Sequence, residues 1–459
     1  MHSTTITTAA LLGLSAIASA RPATDDASYQ YTEGSTNENG QEAFDFPLDN
    51  GFPNITVPSA NLSAIELASL GELPIAPNVT ASNATASGPS TVDLGFVAFN
   101  ELFEVAFFTE LIYNITYNVP GYGPDDVGPQ RDEILAILTV HQAQEELHEL
   151  NANGGFFKNS GGYTIEPCEY IFPVSTFNES IALAALFTDL VQGTLPDVQT
   201  TFGANQDVGL IRGVGLVIGQ EGEQDGFYRG LLGLAPAGLP FNTQSAVDFA
   251  FSAIVQSFTK PGSCKSLDLL QHPPFATSGG LSLFDTLSTT TDLGNGKADV
   301  TGVVFSGTPV QVVAAPSAHV NSLISEAQCI TYLNQANAPV TVSTTTKQDS
   351  NAVVEFTADF PGETQDFSGL VIAVVTQSAG KQEDCATIVF ADASEVAAAT
   401  KFGPFLFEVN NAVSDLLSGS SSSSSSSSSM DSSSTTMMHD SSSTTSSSAY
   451  TSSASAYSY

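Results

Sequence analysis

Tryptophan is absent from this 459-residue chain, and lysine and arginine together number 11 against 48 aspartates and glutamates. The resulting net charge of −37 repels phosphate backbones and anionic bilayers, so nucleic acid and acidic membrane surfaces are excluded as partners. The missing indole removes one kind of sugar-stacking platform. No segment reaches 18 uninterrupted apolar residues, so no membrane span is expected. The apolar stretch at 6–17, followed by Ala18-Ser-Ala20, reads as a secretory signal with an A-x-A cleavage site, although no lysine or arginine precedes it. Cysteine is scarce too. The four present (Cys168, Cys264, Cys329, Cys385) are an even number, and their spacings resemble no zinc site. In an oxidising route they predict two disulfides, for which three pairings are open. The expected pairs are Cys168–Cys264 and Cys329–Cys385, which keep each bridge within one domain.

What is abundant supports export. Six N-x-S/T sequons occur, at Asn54, Asn61, Asn78, Asn83, Asn114 and Asn178, the first four within a 30-residue stretch. Residues 21–90 are rich in Asn, Asp, Ser, Thr and Pro without sustained period, and predict a glycosylated, mostly irregular arm. Residues 91–265 carry helical periodicity, and residues 266–415 switch to short β-branched runs. Those runs lie at 300–305, 310–313, 340–343, 352–357, 369–375 and 386–390, as in an antiparallel sandwich or barrel. A Ser/Thr-rich tail, 416–459, includes ten consecutive serines and predicts a disordered, O-glycosylated stalk.

The helical region holds four main periodic segments, roughly 92–113, 131–150, 179–195 and 208–232, with a shorter fifth at 245–258. Pro196 is expected to end or kink the third. Short connections within each pair and one long connection between the pairs match the single-crossover order of ferritin-like bundles.

Two of these segments nearly repeat one another. One contains His141-Gln-Ala-Gln-Glu145-Glu-Leu-His148, and the other Gly219-Gln-Glu221-Gly-Glu-Gln224-Asp-Gly-Phe-Tyr228. Glu-x-x-His is the spacing by which a four-helix bundle offers a carboxylate and an imidazole to a di-metal centre. Glu101, Glu104, Glu145, His148 and Glu221 all keep phase with apolar stripes, so they are expected to converge inside the bundle as the candidate metal ligands. Two slots depart from a full ligand set. Gln224 stands where the second His would be, and Thr188 occupies the inward position of the third helix, with Asp189 turned about 100° away. Buried like charges resist ionisation, so something must compensate them. Hydrogen-bonded polar packing, a single-ion or partly occupied iron or manganese site, and an active di-metal centre are the three solutions. His141 fits either a hydrogen bond to Glu145 or an ordinary core imidazole. Tyr228 reads as a core aromatic, and Arg229 as a surface residue unless it pairs with helix acids. No nucleophile elbow, phosphate loop or triad spacing stands out.

These segments also resemble a known family. Asn100-Glu-Leu-Phe-Glu104-Val-Ala-Phe-Phe108, Glu145-Glu-Leu-His148, Phe187-Thr-Asp-Leu-Val-Gln-Gly-Thr-Leu195 and Gly219-Gln-Glu-Gly-Glu-Gln224-Asp-Gly-Phe-Tyr-Arg229 are similar to the fungal secreted ferritin-like proteins, named for late sexual development or stress response. The resemblance covers about residues 90–265. It implies a ferritin-like bundle in an exported protein of development, stress or the cell surface, and does not by itself imply catalysis. Bacterial relatives of that fold keep the Glu and His that Thr188 and Gln224 replace here.

The expectation is therefore an α+β multidomain chain, with a ferritin-like four-helix bundle and short fifth helix followed by a β-rich, sandwich-like domain. Its function reads as a secreted or cell-wall-associated, non-catalytic protein with a degenerate di-metal site and cell-wall glycans as the partner class. The alternative is an iron- or manganese-dependent oxidase or peroxide-handling enzyme using the residual ligands.

Overall fold

Uninterrupted apolar stripes and well-placed caps make the first half of the fold helical. The computed structural model describes residues 44–74, 85–277, 279–284, 288–291, 303–307, 328–348, 354–358, 360–361, 367–377 and 385–409. All of them lie in one unit, Met1–Val413. The expected signal segment, Asn78, Asn83, the run at 310–313 and the Ser/Thr tail lie outside the described residues.

Nine α-helices occur among the described residues: α1 Ala60–Ser69, α2 Gly88–Thr116, α3 Pro124–Val127, α4 Arg131–Ser160, α5 Phe177–Ala204, α6 Ile211–Leu231, α7 Val247–Ser257, α8 Leu267–Gln271 and α9 Ala393–Ala399. α2 starts behind Ser87, whose hydroxyl accepts from Ser90 N at 3.5 Å, with proline in the first turn. It is buried on nearly every face, the signature of a core helix. α5 starts behind Thr176, which accepts from Glu179 N at 3.3 Å. α4 stops at Gly161, whose φ of 89° is the left-handed geometry glycine tolerates. The close neighbours are α2 with α4 and α5 with α6, and α2 also packs on α5.

Three expectations need correction here. The arm is not irregular throughout: α1 forms at 60–69, capped by Ser59, and buries Leu62 and Ile65 against Ala143 and Leu147 of α4. Pro196 does not end the third long helix. Its ring is exposed, while Leu195 and Val198 beside it are buried, and α5 continues to Ala204. Burial on both sides of the proline outweighs the lost hydrogen bond, a cost of about 3 kcal/mol. The second long helix extends to Ser160 rather than ending near 150, and residues 161–176 remain as the long connection to the next long helix. α5 is also long and apolar enough to cross a membrane, but 78% of the qualifying window is buried, as in the core helix of a folded domain.

Eight strands follow among the described residues: β1 Ser288–Thr291, β2 Val303–Gly307, β3 Gln328–Asn334, β4 Val340–Ser343, β5 Thr345–Gln348, β6 Val354–Ala358, β7 Gly369–Gln377 and β8 Thr400–Val409. They form two four-stranded sheets, ordered β1-β2-β6-β5 and β4-β3-β7-β8, with every pairing antiparallel. The fold class is thus α+β. The run at 386–390 is not a strand. Cys385–Thr387 forms a 3-10 turn tied to β3 by the Cys329–Cys385 disulfide, and α9 follows. The other bridge is Cys168–Cys264, so both expected pairs are present, with Cα separations of 4.4 and 5.8 Å.

The period of two along β7 sends Leu370, Ile372 and Val374 into the same core as the helices, and Val371, Ala373 and Val375 to the opposite face. That opposite face packs with Ile330, Tyr332, Phe360, Phe402 and Phe407. No break in the core separates the helical part from this sheet, although the composition changes near 265/266. Arg229 is buried at the junction rather than on the surface. It lies 3.5 Å from Asp189 and 3.6 Å from Glu408 of β8, and its Nε donates to Ala235 O at 2.9 Å.

Candidate metal centre

Four side chains from three helices meet inside the helical layer. Glu101 comes from α2, Glu145 and His148 from α4, and Glu221 from α6. One ligand atom from each lies within 4.8 Å of the other three. All three carboxylates are 0% exposed. His148 Nδ1 is 2.8 Å from Glu145 Oε2, 3.6 Å from Glu101 Oε2 and 3.9 Å from Glu221 Oε1. Both oxygens of Glu101 and both of Glu221 make no hydrogen bond. A buried polar atom without a partner costs roughly 1–3 kcal/mol, and more when charged. Two such carboxylates, each with one oxygen within 4 Å of the His148 imidazole beside Glu145, are a donor set that a divalent cation satisfies.

Glu104, the fifth candidate, is fully buried on the same helix but outside this group of four. Asn100 Nδ2 donates to its Oε1 at 3.1 Å, and its Oε2 has no hydrogen-bond partner. Thr188 is buried with its hydroxyl oxygen making no hydrogen bond. Gln224 is engaged at both ends of its amide. Its Nε2 donates to Glu145 Oε1 at 2.5 Å and to Gln144 Oε1 at 3.2 Å, while its Oε1 accepts from Tyr228 at 3.3 Å. Since the Tyr228 hydroxyl proton is used there, its oxygen accepts from His141 Nδ1 at 2.8 Å. His141 therefore bonds Tyr228 rather than Glu145. A directed chain results, from His141 through Tyr228 and Gln224 to Glu145.

Ionisation follows burial and pairing. Burial raises Glu101 to about 7, opposed by His148, and raises Glu104 and Glu221 well above the ordinary carboxylate range, with neighbouring carboxylates adding to the effect. Burial also acts to raise Glu145, but His148 and Gln224 outweigh it and hold the carboxyl below its ordinary value. His148 is pushed well above the ordinary imidazole range, because Glu145 and Glu101 overcome its burial. Burial lowers His141 to about 4, against the pull of Glu145, which favours its neutral form near neutral pH. Without a cation, these shifts favour an ionised Glu145 beside a protonated His148 and oppose ionisation of Glu104 and Glu221.

Two polar residues that the sequence pattern did not single out complete the surroundings. Asn100 precedes Glu104 by four residues, a helical spacing that carries a readable signal. Gln144, which also accepts from Gln220 Nε2 at 2.8 Å, has no local signature, because its partners lie about 80 residues away. A narrow cavity of about 30 Å³ lies between Leu94, Val97, Val214 and Val217 and reaches Glu101 and His148. It has room for about two waters.

Among the sequons, Asn54, Asn61 and Asn178 are exposed, whereas Asn114 is only 2% exposed within α2. In the folded chain Asn114 is closed to a glycan, because α2 runs past it to Thr116 and packs that face inward. No family model and no curated protein matches this chain.

Proposed function

We propose that this chain is an exported fungal ferritin-like protein, of the late-sexual-development or stress-response kind, that holds one divalent transition-metal ion between Glu101, Glu145, His148 and Glu221. The observation carrying this reading is the convergence of four ligand atoms, three of them on fully buried carboxylates, with unsatisfied carboxylate oxygens on two of the three glutamates. Three oxygens and one nitrogen form a hard set suited to manganese or iron(II). A second ion is disfavoured because Gln224 turns its NH₂, not its carbonyl, toward Glu145. Two-metal chemistry needs both ions held about 3.5–4 Å apart by a full ligand set. The role is non-catalytic, at the cell exterior or wall, with wall glycans as the partner class.

The test is metal stoichiometry on the purified full chain titrated with Mn²⁺. One ion per chain is expected, with affinity falling at least about tenfold in Glu145→Ala, since each 1.4 kcal/mol of lost binding is a factor of ten. The double change Thr188→Glu with Gln224→His should raise the stoichiometry towards two. No binding would return the site to hydrogen-bonded polar packing. Two ions in the unaltered protein, together with oxidase or peroxide turnover abolished by Glu145→Ala, would establish the enzyme reading. The buried Tyr228, linked through Gln224 to Glu145, is the feature that favours that second reading.

A further inference from the structure

A cavity of about 710 Å³ lies where the turn around Asn54 meets the segment bearing Cys168. Its lining joins two half-buried rings, Phe44 and Phe46, with exposed Asp45 and with two lysine–glutamate pairs. Lys260 Nζ is 2.7 Å from Glu169, and Lys265 Nζ is 3.2 Å from Glu166. Each of these lysines is thus engaged by a carboxylate, and Asp45 adds negative charge, so the chemistry does not favour an anion. Aromatic faces beside carboxylate and amide acceptors suit a neutral, polyhydroxylated ligand. Sugar C–H faces lie against rings, and sugar hydroxyls donate to oxygens.

The walls are set before any ligand arrives. The Cys168–Cys264 bridge fixes one of them, and Lys260 N donates to Glu169 O at 2.8 Å beside it. The opposite turn is held by Asn54 N to Gly51 O at 2.9 Å. Asn50 Nδ2 anchors the same turn on both oxygens of Glu146, at 3.0 and 2.8 Å.

Asn54 itself lines this cavity, is exposed, and opens the sequon Asn54-Ile-Thr56. We propose that the cavity is the seat of the first sugars of an N-glycan carried by Asn54. The volume lies within the ~300–1,000 Å³ typical of ligand sites. The proposal rests on the export reading. During export, Asn54 Nδ2 forms an N-glycosidic bond to the anomeric carbon of a diphosphate-activated oligosaccharide. The diphosphate leaves with its bonding electron pair, and the amide gives up one proton. Seated sugars are shielded, whereas those on Asn178, exposed in the first turn of α5, provide the comparison.

The experiment uses the full chain secreted from a eukaryotic host, with glycopeptide mass spectrometry before and after native digestion by a peptide N-glycosidase. The Asn54 glycan should resist release from the native protein and leave readily after denaturation, while the Asn178 glycan leaves in both states. Asn54→Gln and Thr56→Ala, which both remove the glycan, should lower the melting temperature to the same degree, and Asn178→Gln should not. An unmodified Asn54, equal native release at both sites, or variants at 54 and 56 that melt with the parent would each overturn the seat. If no sequon carries a glycan, the export reading falls with it. If Asn178 is modified and Asn54 is bare or freely trimmed, only the seat falls.

Discussion

Tyr228 decides which end of an amide Gln224 shows to the candidate ligands. Its hydroxyl takes the Gln224 carbonyl and leaves the NH₂ group to Glu145. Tyr228→Phe removes that restraint and leaves His141 Nδ1 without its bond to the ring oxygen. Two effects are expected: Mn²⁺ affinity rises as Gln224 turns its carbonyl inward, and folding stability drops by about 1–3 kcal/mol for the stranded imidazole. Calorimetric titration and denaturant unfolding read these separately. Unchanged affinity would show that Glu145 alone orients the amide. The convergence of Glu101, Glu145, His148 and Glu221 was legible in the sequence because their phase matched the apolar stripes, whereas the place of Glu104 outside that group was not. The partnership of His141 with Tyr228 was not, since 87 residues separate them and either could have been an ordinary core residue.

The long helices show where periodicity is sufficient and where tertiary contact takes over. α2 and α6 fall where the apolar spacing puts them and α4 starts there but runs on to Ser160, whereas α5 crosses Pro196 because packing on both sides compensates. β3 was missed because Cys329-Ile-Thr-Tyr-Leu333 mixes polar and apolar residues on both faces. Its buried threonine is satisfied only by cross-strand neighbours, Thr331 with Thr341 and Thr376, each at 3.0 Å. α5 also makes a close approach that sequence alone could not announce. A Cβ added at Gly193 would fall 1.9 Å from Thr243 O, and Ser245 N donates to Gly193 O at 3.1 Å. Gly193→Ala must push the 243–245 segment away, and that segment also bonds Leu370 O of β7 through Thr243 at 2.6 Å. A destabilisation of about 1–3 kcal/mol or more is expected from such overpacking, measurable as a lower denaturant midpoint. A parent-like midpoint would mean the approach is slack.

At the scale of the whole molecule, buried acids among the described residues outnumber the buried cations that could answer them. Burial raises Asp93 to about 8, with Asp197 and Asp248 adding to it. Burial also raises Glu149 to about 8 and Asp248 to about 6. Their unfolded values are about 4. Between those limits the folded chain binds more protons than the unfolded one, so stability is fully present below about pH 4 and declines as pH rises towards 8. Self-repulsion at a net charge of −37 runs in the same direction near neutrality. Unfolding free energy measured from pH 4 to 8 should therefore fall, and Asp93→Asn should flatten the fall by about 2 kcal/mol or more. A curve that rises with pH would contradict the burial of these acids. The shared core has a further consequence, in time. Phe52, the helix residues and Leu370, Ile372, Val374 and Val396 belong to one apolar cluster. A chain made from its N-terminus has all its candidate ligands synthesised by residue 221, yet the core around them closes only after nearly 400 residues have emerged. Until then the helices carry uncovered apolar surface, the state in which nascent chains need chaperones. If the chain is exported and binds an ion as proposed, this order of synthesis favours passage across the membrane before the site is complete, and acquisition of the ion at the destination rather than in the cell interior.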